Sequence, residues 1–356
     1  MSQQPPFKGR GAAGNPANRF VAIHLERDLD WNPEEDAAPA TQFLKDNSRA
    51  IINYNDSPDI GFNASINPYR GCEHGCIYCY ARPTHEYLGF SAGLDFESKI
   101  MVKENAPELL RNELSSPKWR PQVIAMSGVT DCYQPVERKL KLTRRCLEVL
   151  AEFRNPVAVV TKNHLVTRDL DLLRELARHR GVVVFISLTT LDSTLTPKLE
   201  PRASLPKHRL AAIQALSQAG VPVGVILAPV IPALTDHEIP ALIDAAVKAG
   251  ARYASYVPLR LPFGLGELFE GWLTQHFPER KEKILNRVRA LRGGRLNDPN
   301  FGTRMRGEGN LADQLEALFS VACRRAGLAG RGPELSAEAF RVPASTTGHK
   351  QRIFPF

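Results

Sequence analysis

Between residues 62 and 257, short and almost wholly apolar runs alternate with segments of helical period, and this alternation narrows the fold more than anything else in the chain. The runs 122–126, 157–161, 182–188, 222–228 and 253–257 are too short for helices. They are also too continuously apolar for strands with one wet face. Strands buried on both faces belong to parallel sheets covered by helices. Segments 136–153, 167–179, 206–219 and 236–248 carry the helical period, and 62–67 reads as the first strand. The expected fold is α/β: a partial (βα)6 TIM-like barrel, short of the eight strands that close one. In such sheets the chemistry lies at the carboxyl ends of the strands.

The flanks read differently. Residues 1–55 are rich in Pro, Gly, Asn and charge and hold no sustained period, so an extended, flexible N-terminal arm is expected. Residues 56–265 form the expected core. Beyond it the alternation stops, and 266–356 reads as a basic, mostly helical extension, with helices at 282–291 and 311–326 around a Gly- and Arg-rich stretch, 302–309. The longest apolar run, 221–230, is interrupted by Pro and Gly, so no membrane span is expected. The first twenty residues lack the apolar core of a signal peptide, which points to a soluble, cytoplasmic protein.

Six cysteines are too few for a disulfide scaffold in 356 residues, and three of them crowd into eight. Cys72, Cys76 and Cys79 stand at CxxxCxxC in Tyr69-Arg70-Gly71-Cys72-Glu73-His74-Gly75-Cys76-Ile77-Tyr78-Cys79-Tyr80, on a loop after a predicted strand. Three thiolates reach three corners of a 4Fe-4S cube and leave one iron open, whereas full ligation takes four. The open iron can chelate the amino and carboxylate groups of S-adenosylmethionine (SAM). Electron transfer from the cluster then cleaves the sulfonium to a 5′-deoxyadenosyl radical. The competing reading is a zinc knuckle with His74 or Cys132 as fourth ligand, but the second ligand pair such sites carry downstream is missing.

CxxxCxxC with an aromatic before its third Cys resembles the radical SAM superfamily signature, and Tyr78 fills the aromatic position. The resemblance spans roughly residues 60–262 and implies a radical SAM barrel with Tyr78 against the adenine. A closer resemblance is to the branch labelled DNA repair photolyase, which includes spore photoproduct lyase. There a Thr-Ser-Asp follows the second strand, a Thr-Lys the third, and a Ser ends the fourth. Val129-Thr130-Asp131, Thr161-Lys162 and Ser187 stand in those places. The resemblance implies that Thr130, Lys162 and Ser187 contact SAM. Hydroxyls and an ammonium can bind its carboxylate and ribose. Otherwise Ser187 caps a strand and Lys162 is solvated. Glu200-Pro201-Arg202 matches a Glu-x-Arg of the same branch, making Arg202 either a ligand for carboxylate or phosphate or the partner of Glu200 in a surface ion pair.

One departure bears on the reaction. The lyase's hydrogen-donating Cys aligns with Gly128, while Cys132 lies four residues further on. Cys132 is therefore either a displaced donor or a small buried hydrophobe. Tyr80 matches a substrate-side Tyr and either relays a radical or packs. Cys146 and Cys323 fall in predicted helices and read as packing residues.

The net charge is +8, and residues 279–356 hold 15 Lys/Arg against 8 Asp/Glu. That excess, with the branch resemblance, points to a nucleic-acid substrate. A non-catalytic iron–sulfur or zinc protein that binds nucleic acid, and radical chemistry on a peptide or small molecule, are the alternatives. A radical SAM enzyme also needs an electron donor such as flavodoxin or ferredoxin. The C-terminal Gln351-x-Ile353-Phe354 distantly resembles sliding-clamp docking peptides; those aromatics either fold back on the protein or fill a partner's groove.

Overall fold

The computed structural model describes residues 7–21, 39–328, 330 and 332–344. The C-terminal peptide 351–354 lies outside them. Among the described residues ten strands form two sheets: β1 (Gln42–Lys45), β2 (Ile52–Tyr54), β3 (Ala64–Ile66), β4 (Tyr69–Arg70), β5 (Lys99–Val102), β6 (Ile124–Met126), β7 (Val157–Thr161), β8 (Val182–Ser187), β9 (Val223–Val230) and β10 (Tyr253–Pro258). The main sheet runs β10-β9-β8-β7-β6-β3-β2. Six of its strands, β3 and β6 to β10, are parallel, and β2 adds an antiparallel edge. This is the expected partial barrel.

The apolar runs sit where their composition demands. In β8, Val182, Val183, Val184 and Ile186 are all buried, so both faces of the strand are covered. Helix Leu142–Phe153 turns Cys146, Leu147, Leu150 and Phe153 inward, and Leu170–Arg178 does so with Leu173 and Leu176. The helix expected over 136–153 is two pieces, Glu137–Leu140 and Leu142–Phe153, divided at Lys141 with φ +52°. The break lets the buried Glu137 carboxylate accept the Thr143 amide at 3.0 Å and cap the second helix.

A three-stranded sheet, β1-β5-β4, escaped the sequence reading. Its last strand leads directly into the cysteine loop, and the Cys72 amide donates to Phe96 O at 2.9 Å. The expected flexible arm also differs from what the structure shows over residues 7–21. Gly11 and Ala12 amides each donate to the Glu97 carboxylate at 2.9 Å, and Arg10 donates to Glu97 O at 2.7 Å. Gly11 passes so close to the loop that a Cβ there would fall 1.8 Å from Gly75 O. Close backbone approach requires the glycine at position 11. After β10 come helices Leu265–His276, Lys281–Ala290 and Asn310–Arg325. Among the described residues no helix is long and apolar enough to cross a membrane.

Candidate active site

The cysteine loop is held from three directions. Beneath it, the fully buried Arg82 donates to Cys76 O (2.9 Å), Gly75 O (3.2 Å), Ala92 O (3.1 Å) and Gly93 O (2.9 Å), and pairs with Glu97. A planar fork of five donors suits this role, because it satisfies several backbone carbonyls at once. On the β6 side, Gln134 accepts the Glu73 amide at 2.9 Å and donates to Gly71 O at 3.2 Å. On the third side, Ile77 N donates to Leu199 O and Arg202 N to His74 O, at 3.1 and 3.2 Å. Gly75 takes φ +68°, and a Cβ there would meet Glu97 Oε2 at 2.7 Å, so the tight loop requires glycine.

Cys72 and Cys76 are buried, Cys79 is partly exposed, and all three are free. Burial pushes each thiol pKa up, and the three are electrostatic neighbours of one another. Lys162 and Arg209 oppose that rise at Cys76, as do Arg82 and Lys162 at Cys79. Among the described residues no three His, Cys, Asp or Glu side chains close on a single ion. Three thiols on one loop, with cations beside them, are a donor set that suits an anionic iron–sulfur cluster.

Strand register assembles the SAM-side candidates. Thr161 pairs with Ile186 and Ser187 with Ile226, so Lys162, one residue past β7, falls beside the end of β8. Lys162 Nζ donates to Ser187 Oγ at 2.5 Å and to Ala228 O at 3.2 Å, and lies 5.7 Å from the Tyr78 ring centroid. The Tyr78 phenol donates to Glu200 and meets Thr189 Oγ1 at 3.2 Å. Glu200 also takes Thr189 Oγ1 at 2.8 Å, pairs with Arg209, and lies 3.7 Å from Lys162 Nζ. Burial works to raise the Glu200 carboxyl; Arg209 and Lys162 outweigh it and hold the group at about 2. Glu200 is thus the partner of Arg209 rather than of Arg202. Arg202 pairs with Glu73 at 3.2 Å and reaches Thr41 Oγ1 at 3.3 Å.

Thr130 stands apart from that network, its hydroxyl donating to Tyr69 O at 3.3 Å just before the cysteine loop. Its neighbour Asp131 ties the β6 and β7 ends together by accepting Thr161 Oγ1 at 2.7 Å and the Lys162 amide at 2.8 Å. Burial would raise the Asp131 carboxyl, but the adjacent His74 imidazole and these donors hold it at about 2. Cys132 has no exposure and belongs to the main apolar core, its amide donating to Ser127 Oγ at 2.9 Å. Tyr80 is 49% exposed, donates to Gly128 O at 2.7 Å and carries Arg260 over its ring at 4.9 Å. Sequence reasoning missed Glu200 as a hub, together with Arg209, Asp131 and the Arg82–Glu97 pair. The one available signal was charge inside otherwise apolar, helix-adjacent segments.

Parallel strands ending around a loop of three free thiols define a protein of the partial α/β-barrel class. The chain belongs to the radical SAM superfamily, whose family model matches residues 66–246. The family binds a 4Fe-4S cluster and SAM. An uncharacterized protein of Mycobacterium tuberculosis is 37% identical over 248 residues, covering 69% of this chain and 72% of its own. One from Methanocaldococcus jannaschii is 30% identical over 247 residues, with 69% and 88% covered. Among solved structures, spore photoproduct lyase complexed with dinucleoside spore photoproduct superposes with TM-score 0.59 at 14% identity, covering 81% of each chain. That likeness establishes a shared fold.

Proposed function

We propose that this radical SAM enzyme abstracts a hydrogen atom from a nucleic-acid substrate, with Cys72, Cys76 and Cys79 holding the cluster. The observation that carries the reading is Lys162 Nζ at 2.5 Å from Ser187 Oγ, at the carboxyl ends of adjacent strands and beside Tyr78 and Cys76. When bound, cluster and SAM supply reductive cleavage to a 5′-deoxyadenosyl radical. Lys162, 3.7 Å from Glu200, would hold the carboxylate of SAM with Ser187, and Thr130 its neighbouring polar atoms. Tyr78, fixed by Glu200 and Thr189, would flank the adenine. Burial of Cys72 and Cys76 would limit access of water to the reacting centre. Tyr80, half-exposed at the rim next to Cys79, would face the substrate. Arg202 serves to brace the loop through Glu73, and Cys132 serves as packing.

The substrate class is supported by the shared fold with spore photoproduct lyase complexed with dinucleoside spore photoproduct and by the basic C-terminal quarter. A flavodoxin or ferredoxin would deliver the electron, in a cytoplasmic setting. The test is anaerobic turnover with SAM, reductant and deuterated nucleic acids. Deuterium in 5′-deoxyadenosine supports the reading. Deuterium arriving only from peptides or small metabolites would redirect it.

A further inference from the structure

Beside Tyr80 the surface carries exposed rings interleaved with guanidinium groups. Arg260 covers the Tyr80 ring. Three residues further along the same loop, Phe263 is 64% exposed and meets Arg19 at 3.6 Å from its ring centroid. Arg19 also lies 5.0 Å from the centroid of Phe20, which stacks on the 73% exposed Tyr87 at 4.9 Å. On the other side Arg304, an electrostatic neighbour of Arg260, sits 4.6 Å over the exposed Phe301. The 260–263 loop and the segment from Tyr80 to Tyr87 join these clusters into one strip.

The rings of this strip stay largely in solvent. Phe263 adopts φ +53°, a left-handed conformation costly for a bulky side chain, and the ring it presents stays largely in solvent. Arg19 pairs with Glu86 and Arg304 with Asp59, whereas Arg260 makes no ion pair among the described residues. Arg260 therefore brings one positive charge without an ion-pair partner to the strip. A ring face capped by a guanidinium offers a base a stacking platform, and cations beside it track phosphates. Only unpaired bases present their faces, because those of a duplex are already stacked.

We propose that the Arg–aromatic strip from Tyr87 through Phe263 and Tyr80 to Phe301 binds a single-stranded or locally unpaired nucleic acid and leads it to the cysteine loop. This rests on the nucleic-acid reading above and adds the form in which that substrate arrives. The test is fluorescence anisotropy on the anaerobically prepared holoenzyme, using a labelled oligothymidylate of about a dozen nucleotides and a duplex of matched length. The single strand should bind more tightly. Phe263→Gly and Tyr87→Ala should each weaken it about tenfold, while Leu318→Ala on the outer helix should not change it. Phe263→Gly removes the ring at a backbone position glycine favours, so it should fold at least as well as wild type. Phe263→Trp should retain affinity. Equal or tighter duplex binding, wild-type affinity in both ring variants, or no measurable affinity overturns the proposal. Deuterium transfer from nucleic acid by the wild-type enzyme is read separately. Transfer with unaffected ring variants would sink the strip and leave the reaction. Strip-dependent binding with no transfer would sink the reaction and leave the strip.

Discussion

Tyr78 and Glu200, 122 residues apart in the chain, share a buried hydrogen bond in which the phenol donates to Oε1. Through it the aromatic of the cysteine motif is fixed by the segment after β8, which Arg209 and Thr189 hold in turn. The Glu200 carboxyl is depressed from 4.5 to about 2. Its stabilising contribution is therefore full above pH 4.5 and is lost as the pH falls toward 2. That contribution is of the order of 3 kcal/mol. Denaturant titrations of the apoprotein across this window should show a shallower acid limb for Glu200→Gln. An acid limb matching wild type would show that Glu200 is not the depressed group.

Lys162→Ala removes one charge-assisted partner and should weaken SAM binding by about 1.5–3 kcal/mol while iron content stays at the wild-type level. Equilibrium binding of SAM to the reconstituted protein measures this. Unchanged affinity would move the carboxylate of SAM elsewhere.

Much of this was legible in the sequence, and the missing parts have physical causes. Val182 to Ile186 is apolar on both faces, so a covered parallel strand could be read directly. CxxxCxxC is local and needs no fold to be recognised. Glu200, by contrast, looks like half of a surface pair with Arg202, because nothing local reveals that Arg209 returns to it from a helix. β1, β4 and β5 are two to four residues long and carry no period. Residues 7–21 are held by the Gly11 and Ala12 amides on Glu97 and by Arg10 and Arg19, whose partners lie 67 to 87 residues away and leave no local pattern.

Glu97→Ala leaves the buried Arg82 charge unpaired and frees the amides of Gly11 and Ala12. A loss of about 3–5 kcal/mol is expected, along with faster proteolysis near residues 7–21. An Arg82→Met, Glu97→Met double variant should recover part of the stability. Wild-type protection of the N-terminal segment in Glu97→Ala would show that it is held by other contacts.

Cys132→Ala opens a small cavity in the core and should cost about 1–2 kcal/mol. It should release 5′-deoxyadenosine normally and form the wild-type product. Altered product with normal SAM cleavage would restore Cys132 as a hydrogen donor.

The most direct test of the account is iron content and SAM cleavage in anaerobic, reconstituted protein. Wild type should hold about four irons per chain and release 5′-deoxyadenosine on addition of SAM and dithionite. Cys72→Ala, Cys76→Ala and Cys79→Ala should each lose both properties, while Cys146→Ala and Cys323→Ala keep them. Stoichiometric zinc without iron, or SAM cleavage that survives loss of Cys76, would contradict it.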